Sequence, residues 1–105
     1  MINDITYDAK INVERVRQRV SNGGHDVPPV KVVSRYKRAL ALMPQLFNVC
    51  DELYVYDNST DRNKGTPEPI IRYKYGQLEA LQNSIWSAEK ISQLINGTFI
   101  NNFEP

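Results

Sequence analysis

The sequence predicts an α+β domain in which a basic helical hairpin is followed by a short strand, a β-hairpin and a C-terminal helix. Three observations predict it. Two segments with apolar residues at helical spacing flank Gly23-Gly24 and Pro28-Pro29. Two runs rich in aromatic and β-branched residues fall at 53–57 and 70–75. An apolar stripe through Ile85, Trp86, Ala88, Ile91, Leu94 and Ile95 stops at Gly97. Helical and extended periods thus occupy separate stretches of one chain.

Each element has its own local reason. Residues 1–7, with Ile2, Ile5 and Tyr7, make a brief extended lead-in, and Asp8 is placed to cap a helix running to about residue 22. Gly23-Gly24 stops that helix, because the position after a helix end commonly needs the left-handed conformation that glycine adopts without steric cost. Pro28 and Pro29 have a fixed φ and no N–H, which suits the entrance of a second helix over 29–42. Ile11, Val16 and Val20 on the first helix, and Val33, Leu40 and Met43 on the second, form the expected buried sides. Pro44 bends or restarts the chain, with a short turn through Phe47 to Val49.

The run Leu53-Tyr54-Val55-Tyr56-Asp57 reads as a strand that empties into a long polar loop, 58–69, rich in Asn, Asp, Thr, Gly and Pro. A second strand follows over 70–75, then a turn at Gly76-Gln77 and a third strand over 78–81, against the helical propensity of Gln-Leu-Glu-Ala-Leu-Gln. Asn83 or Ser84 caps the last helix, on which Trp86 reads as core. The tail, 96–105, is loose unless Phe99 and Phe103 find a pocket. The whole of 1–105 reads as a single domain: the hairpin over 8–42, strands and last helix over 43–95, then the tail.

A chain of 105 residues hides roughly 65% of its unfolded surface on folding, enough for a core without metal or disulfide staples. Hydrophobic residues at 41% and charged residues at 24% exclude a disordered chain. Cys50 is the single cysteine, so no intrachain disulfide forms, and one Cys with one His cannot make a common structural zinc site. No apolar run approaches the roughly 20 residues that span a bilayer, and no basic region precedes an apolar stretch at the start. A reducing cytoplasm and no membrane partner are the expectation.

The net charge is only +1, so the basic signal is local. Seven of the thirteen Lys and Arg residues fall between Arg15 and Arg38, where the single acid is Asp26. Arg15 and Arg19 share one helical face; Lys31, Arg35 and Arg38 line another. Five like charges repel one another, and an anion between them would relieve that repulsion. Guanidinium groups suit phosphate in particular, because they stay charged and present a fork that matches its oxygens. A solvated helix face is the simpler reading, but the dearth of nearby carboxylates tells against it.

Two further clusters are candidates. In Gly23-Gly24-His25-Asp26-Val27-Pro28, backbone N–H groups beside the glycines, with His25, can approach an anion; alternatively the glycines and Asp26 merely cap the two helices. Asp57, Asn58 and Ser59 lie at the C-terminal end of a strand, where ligands gather in open α/β sheets, or they form a hydrogen-bonded turn. A triad of Ser59, His25 and Asp57 is disfavoured because no strained strand-to-helix elbow surrounds the serine.

At these residues the chain resembles the zeta-toxin-like P-loop kinases. The shared pattern runs Arg15-Val16, Arg19-Val20, Gly23-Gly24-His25, Val27-Pro28, Arg35-Tyr36 with Arg38 and Leu40, and then Tyr56-Asp57-Asn58-Ser59. The resemblance covers about 8–60 well and 61–95 loosely, with Ser34 and Ala39 departing from it. It implies that 8–42 is a lid whose Arg15 and Arg35, then Arg19 and Arg38, face the phosphates of ATP or GTP carried with Mg²⁺. His25, Asp57, Asn58 and Ser59 would lie near the nucleotide.

The family's phosphate loop, Gly-x-x-x-x-Gly-Lys-Ser/Thr, is absent; Lys64-Gly65 has the reverse order. What is implied is therefore the C-terminal half of an α/β P-loop kinase, with no catalytic residue and no metal ligand of its own. Alone it should be inactive, bind no nucleotide tightly, and either self-associate or pair with an N-terminal half. The alternative is a non-catalytic basic module for nucleic acid or a protein partner. Nucleic acid is disfavoured because Tyr36 is the single aromatic of the basic segment.

Overall fold

A computed structural model describes residues 1–60 and 66–99. They form a small α+β domain with the order β1 (Ile2–Ile5), α1 (Ala9–Ser21), α2 (Pro29–Ala41), α3 (Met43–Val49), β2 (Glu52–Asp57), β3 (Glu68–Lys74), β4 (Gln77–Ala80) and α4 (Ala88–Asn96). The sheet runs β1-β2-β3-β4. β1 lies parallel to β2, so the three intervening helices make the crossover between them, and the other pairs are antiparallel. Among the described residues, no helix is long and apolar enough to cross a membrane.

Alternation along β2 decides where the core sits. Leu53, Val55 and Asp57 are buried on one face while Glu52, Tyr54 and Tyr56 are half-buried on the other. On β3 the register skips a residue: Val55 pairs with Ile71 and Tyr56 with Pro69. The bulged Ile70 therefore turns inward beside Ile71, and both are essentially fully buried. They join Met43, Leu53, Ile91 and Leu94 in one cluster beneath the helices. Each such side chain contributes roughly 1.5–3 kcal/mol. The opposite face carries the exposed cross-strand ion pairs Arg72–Glu79 and Lys74–Glu52, as expected for a sheet with one solvated side.

Helices α1 and α2 fall where spacing puts them. Asp8 caps α1 by accepting from Lys10 N at 2.9 Å, and Pro29 opens α2. The buried stripe of α2 is Val32, Tyr36 and Leu40 at successive turns, with Val33 only partly buried. The chain restarts at Pro44 as a helix, α3, rather than a turn through Phe47 to Val49. Phe47 packs edge-on against Tyr73 with ring centroids 5.3 Å apart, and that contact holds the short helix on the sheet.

The β3–β4 turn is Tyr75-Gly76, one residue earlier than expected, and both residues have positive φ (46° and 85°). The last helix also begins later than expected. Asn83 Oδ1 accepts from the N–H of Ile85 and of Trp86, forming a local turn, and Ser87 is the cap that starts α4. Trp86 is core as expected, though it precedes the helix. Phe99 does find a pocket, its ring tilted 46° against that of Trp86 with centroids 4.8 Å apart; Phe103 lies outside the described residues, as does the middle of the 58–69 loop.

Candidate functional site

The α1–α2 hairpin is closed by its glycines. Gly23 takes a φ of 93°, and Gly24 N then donates to the carbonyl oxygen of Arg19 at 2.7 Å. A Cβ on Gly24 would sit 2.9 Å from that same oxygen, closer than real contacts allow. Gly24→Ala is expected to cost roughly 1–3 kcal/mol, and so to lower the melting temperature by about 5 °C or more. An unchanged thermal melt would show that the loop relaxes freely. Asp26 is not the cap of α2; Pro28 is, and it offers no side-chain hydrogen bond.

Between this hairpin and β1 lies a cleft of about 470 Å³. Arg15, Arg19 and Val16 of α1 line it, as do Val32, Arg35, Tyr36, Ala39 and Leu40 of α2. The α2 residues recur at helical spacing on one face, whereas Lys31 and Arg38 fall on the neighbouring face and do not line the cleft. Of the five cations expected to converge, three do. Asp4 also lines the cleft, yet among the described residues none of the three arginines has a carboxylate within ion-pair distance.

The three arginines differ in freedom. Arg15 is half-buried, and its Nη2 donates to Asn58 O at 2.6 Å and Thr60 O at 3.2 Å. It ties α1 to the loop after β2, and among the described residues Nη1 and Nε have no acceptor. Arg19 and Arg35 are exposed, with no hydrogen bond of their side chains to another described residue. Among the described residues they are the free cations of the site.

Sequence reasoning missed the floor. The Tyr36 hydroxyl donates to Thr6 O at 2.6 Å, and Thr6 Oγ1 in turn donates to Asn12 Oδ1, which pins the hairpin to the end of β1. The repeat of Val32, Tyr36 and Leu40 at every fourth position was the signal for this. Burial raises the Tyr36 pKa above its ordinary 10.0; the charges of Asp8 and Asp57 add to this, and a hydrogen bond with the Thr6 side chain opposes it. The neutral phenol is thus favoured by the fold. Its stabilisation is complete below about pH 10 and is lost as pH rises further, because the unfolded chain ionises first.

Tyr36→Phe should lose roughly 1–3 kcal/mol at neutral pH. Above about pH 10, its stability should decline less steeply than the parent's, by up to about 1.4 kcal/mol per pH unit. Urea melts at neutral and alkaline pH check this, and parallel pH profiles would contradict it.

The Asp57-Asn58-Ser59 cluster is divided by the fold. Asn58 lines the cleft. Asp57 is buried and accepts from Ser59 N (3.2 Å), Ser59 Oγ (2.6 Å) and Trp86 Nε1 (3.0 Å). Ser59 Oγ also accepts from Tyr7 N at 3.0 Å, and Ser59 borders a separate hollow of about 440 Å³ with Tyr7, Thr60, Ser84, Ile85 and Lys90. His25 is exposed in the hairpin loop and does not reach the cleft, although Val27 does.

Chemically, the site is an apolar floor with a cationic wall: it can hold an anion and partly desolvate what is attached to it. Among the described residues, no cluster of three or more His, Cys, Asp or Glu side chains is placed to hold a metal ion. No family model, curated protein or solved structure matches the chain.

Proposed function

We propose that the cleft receives the polyphosphate of ATP or GTP, and that the chain serves as the lid and base-side portion of a zeta-toxin-like kinase. The observation that carries this reading is the meeting of Arg15, Arg19 and Arg35, from two helices, around one cavity with no carboxylate among the described residues paired to them. Its volume of about 470 Å³ suits a small-molecule ligand. The family-like order of residues from Arg15 to Ser59 supports the same reading.

The nucleotide would supply the phosphoryl group transferred to a hydroxyl-bearing acceptor. This chain's part is to place guanidinium groups against the phosphate oxygens, with Arg19 and Arg35 free to move onto them and Arg15 held by the loop. Positioning and charge are nearly all that phosphoryl transfer asks of a protein, and the phosphate loop that provides most of both is missing from this sequence. Mg²⁺ would arrive with the nucleotide, since the described residues offer it no ligand cluster.

Calorimetric titration of the chain with tripolyphosphate, ATP and GTP tests the reading. Weak, saturable binding that fades with added salt is expected, with no release of phosphate from ATP. Absence of binding at low ionic strength would overturn the anion site. Turnover abolished by Arg35→Ala would overturn the claim that the chain is inactive alone.

A further inference from the structure

The cleft has a second wall of a different kind. Asn3, Asp4, Ile5 and Thr6 all line it. Successive residues of a strand face opposite sides of a sheet, so Asn3, Asp4 and Ile5 of β1 share one cavity only when it opens along the strand's edge. β1 is such an edge, pairing among the described strands with β2 alone.

The carbonyls of Met1 and Ile5 accept from Tyr54 N and Asn58 N on the β2 side. Alternation of the parallel ladder then leaves the N–H and C=O of Ile2 and Asp4 directed outward. The next outward carbonyl, Thr6 O, is taken by Tyr36. An open row of backbone groups beside three arginines is a template for another strand that also brings negative charge.

We propose that the free edge of β1 accepts one extended, acidic segment of a second polypeptide, whose alternate carboxylates meet Arg15, Arg19 and Arg35. Charge complementarity selects this occupant. Arg15 and Arg19 are separated by about 6 Å of helix rise, and same-face side chains of a strand repeat at about 6.6 Å. The two periods match. Asp4 repels an acid placed directly beside it, so the segment carries a neutral residue at that point. The strand has little protection against pairing: it contains no proline or lysine, and Ile2 is 69% exposed. This inference does not rest on the nucleotide reading; because the arginines are shared, peptide and triphosphate exclude one another.

Fluorescence anisotropy of the full chain with a labelled peptide of about nine residues, alternating Glu and Val, is the test. Saturable binding is expected, weakened by added salt, and at least about tenfold tighter than that of the Lys-for-Glu peptide. Methylating alternate backbone nitrogens of the peptide, in the register that pairs, removes its donors without touching its charge and should weaken binding about tenfold. Ile2→Pro should do the same with an unchanged circular dichroism spectrum, since the N–H it deletes is not part of the β1–β2 ladder and Ile2 is the first residue of the strand.

Equal binding of peptides methylated in either register would show that charge alone acts and would overturn strand addition. So would a dimer of the chain that the peptide cannot dissociate, which would assign the edge to a second copy. Nucleotide binding without peptide binding would sink this inference and leave the kinase reading intact, and peptide binding without nucleotide binding would do the reverse.

Discussion

The double variant Arg19→Gln/Arg35→Gln is expected to bind tripolyphosphate roughly a hundredfold more weakly than the parent while unfolding within about 2 °C of it. The two halves of that expectation have separate grounds. Both side chains are exposed and hold no other described residue, so removing their charge costs the fold almost nothing. A charge-assisted contact to phosphate at a solvent-screened site is worth about 1.4 kcal/mol, a factor of about ten for each arginine.

Arg15→Gln should behave differently. It releases the carbonyls of Asn58 and Thr60, so stability and affinity should fall together, the former by roughly 1–2 kcal/mol. Arg38→Gln and His25→Ala, whose side chains lie off the cleft, should each change affinity by less than about threefold. If the double variant also loses less than about threefold, the arginines are a solvated face and the phosphate reading is wrong.

The hairpin was legible in the sequence because its determinants are local. Asp8 caps, Gly23-Gly24 closes and Pro28-Pro29 reopens within a few residues of where they stand. Placing α4 was harder, since Asn83, Ser84 and Ser87 are all competent caps. The choice falls to Ser87 because Trp86, buried at 3%, must reach Asp57 before the helix can begin. The bulge at Ile70 left no trace in an alternating pattern, because two adjacent isoleucines suit a buried helix and a buried strand alike.

The cleft was half legible. Helical spacing aligns Arg15 with Arg19, but which face of α2 turns toward α1 is decided by burial of Val32 and Tyr36, and that choice brings in Arg35 and sends Arg38 aside. The β1 wall was invisible for a different reason. Residues 1–7 read only as a lead-in, and their place beside β2 depends on pairing across some fifty residues, which no local signal records. The interior is similarly non-local: Thr6 just after β1, Asn12 of α1 and Tyr36 of α2 form one hydrogen-bonded group.

Asp57→Ala is expected to be the most damaging single substitution, costing about 3–5 kcal/mol and lowering the melting temperature by at least about 15 °C. The carboxylate is 1% exposed and takes three hydrogen bonds, from the Trp86 indole and from the N–H and hydroxyl of Ser59. Deleting it leaves a buried indole N–H without an acceptor and frees the loop that Arg15 also grips. Asp57→Asn keeps one acceptor oxygen and should lie between the two. Trp86→Phe removes one donor from the opposite side, so the Asp57→Ala/Trp86→Phe pair should cost less than the sum of its parts by roughly 1–2 kcal/mol. Because Asp57 does not line the cleft, tripolyphosphate affinity per folded molecule should survive in Asp57→Asn. A variant that keeps its melting temperature but loses the anion would instead make Asp57 a ligand-facing group, and the division of the 57–59 cluster into a joint and a site would have to be redrawn.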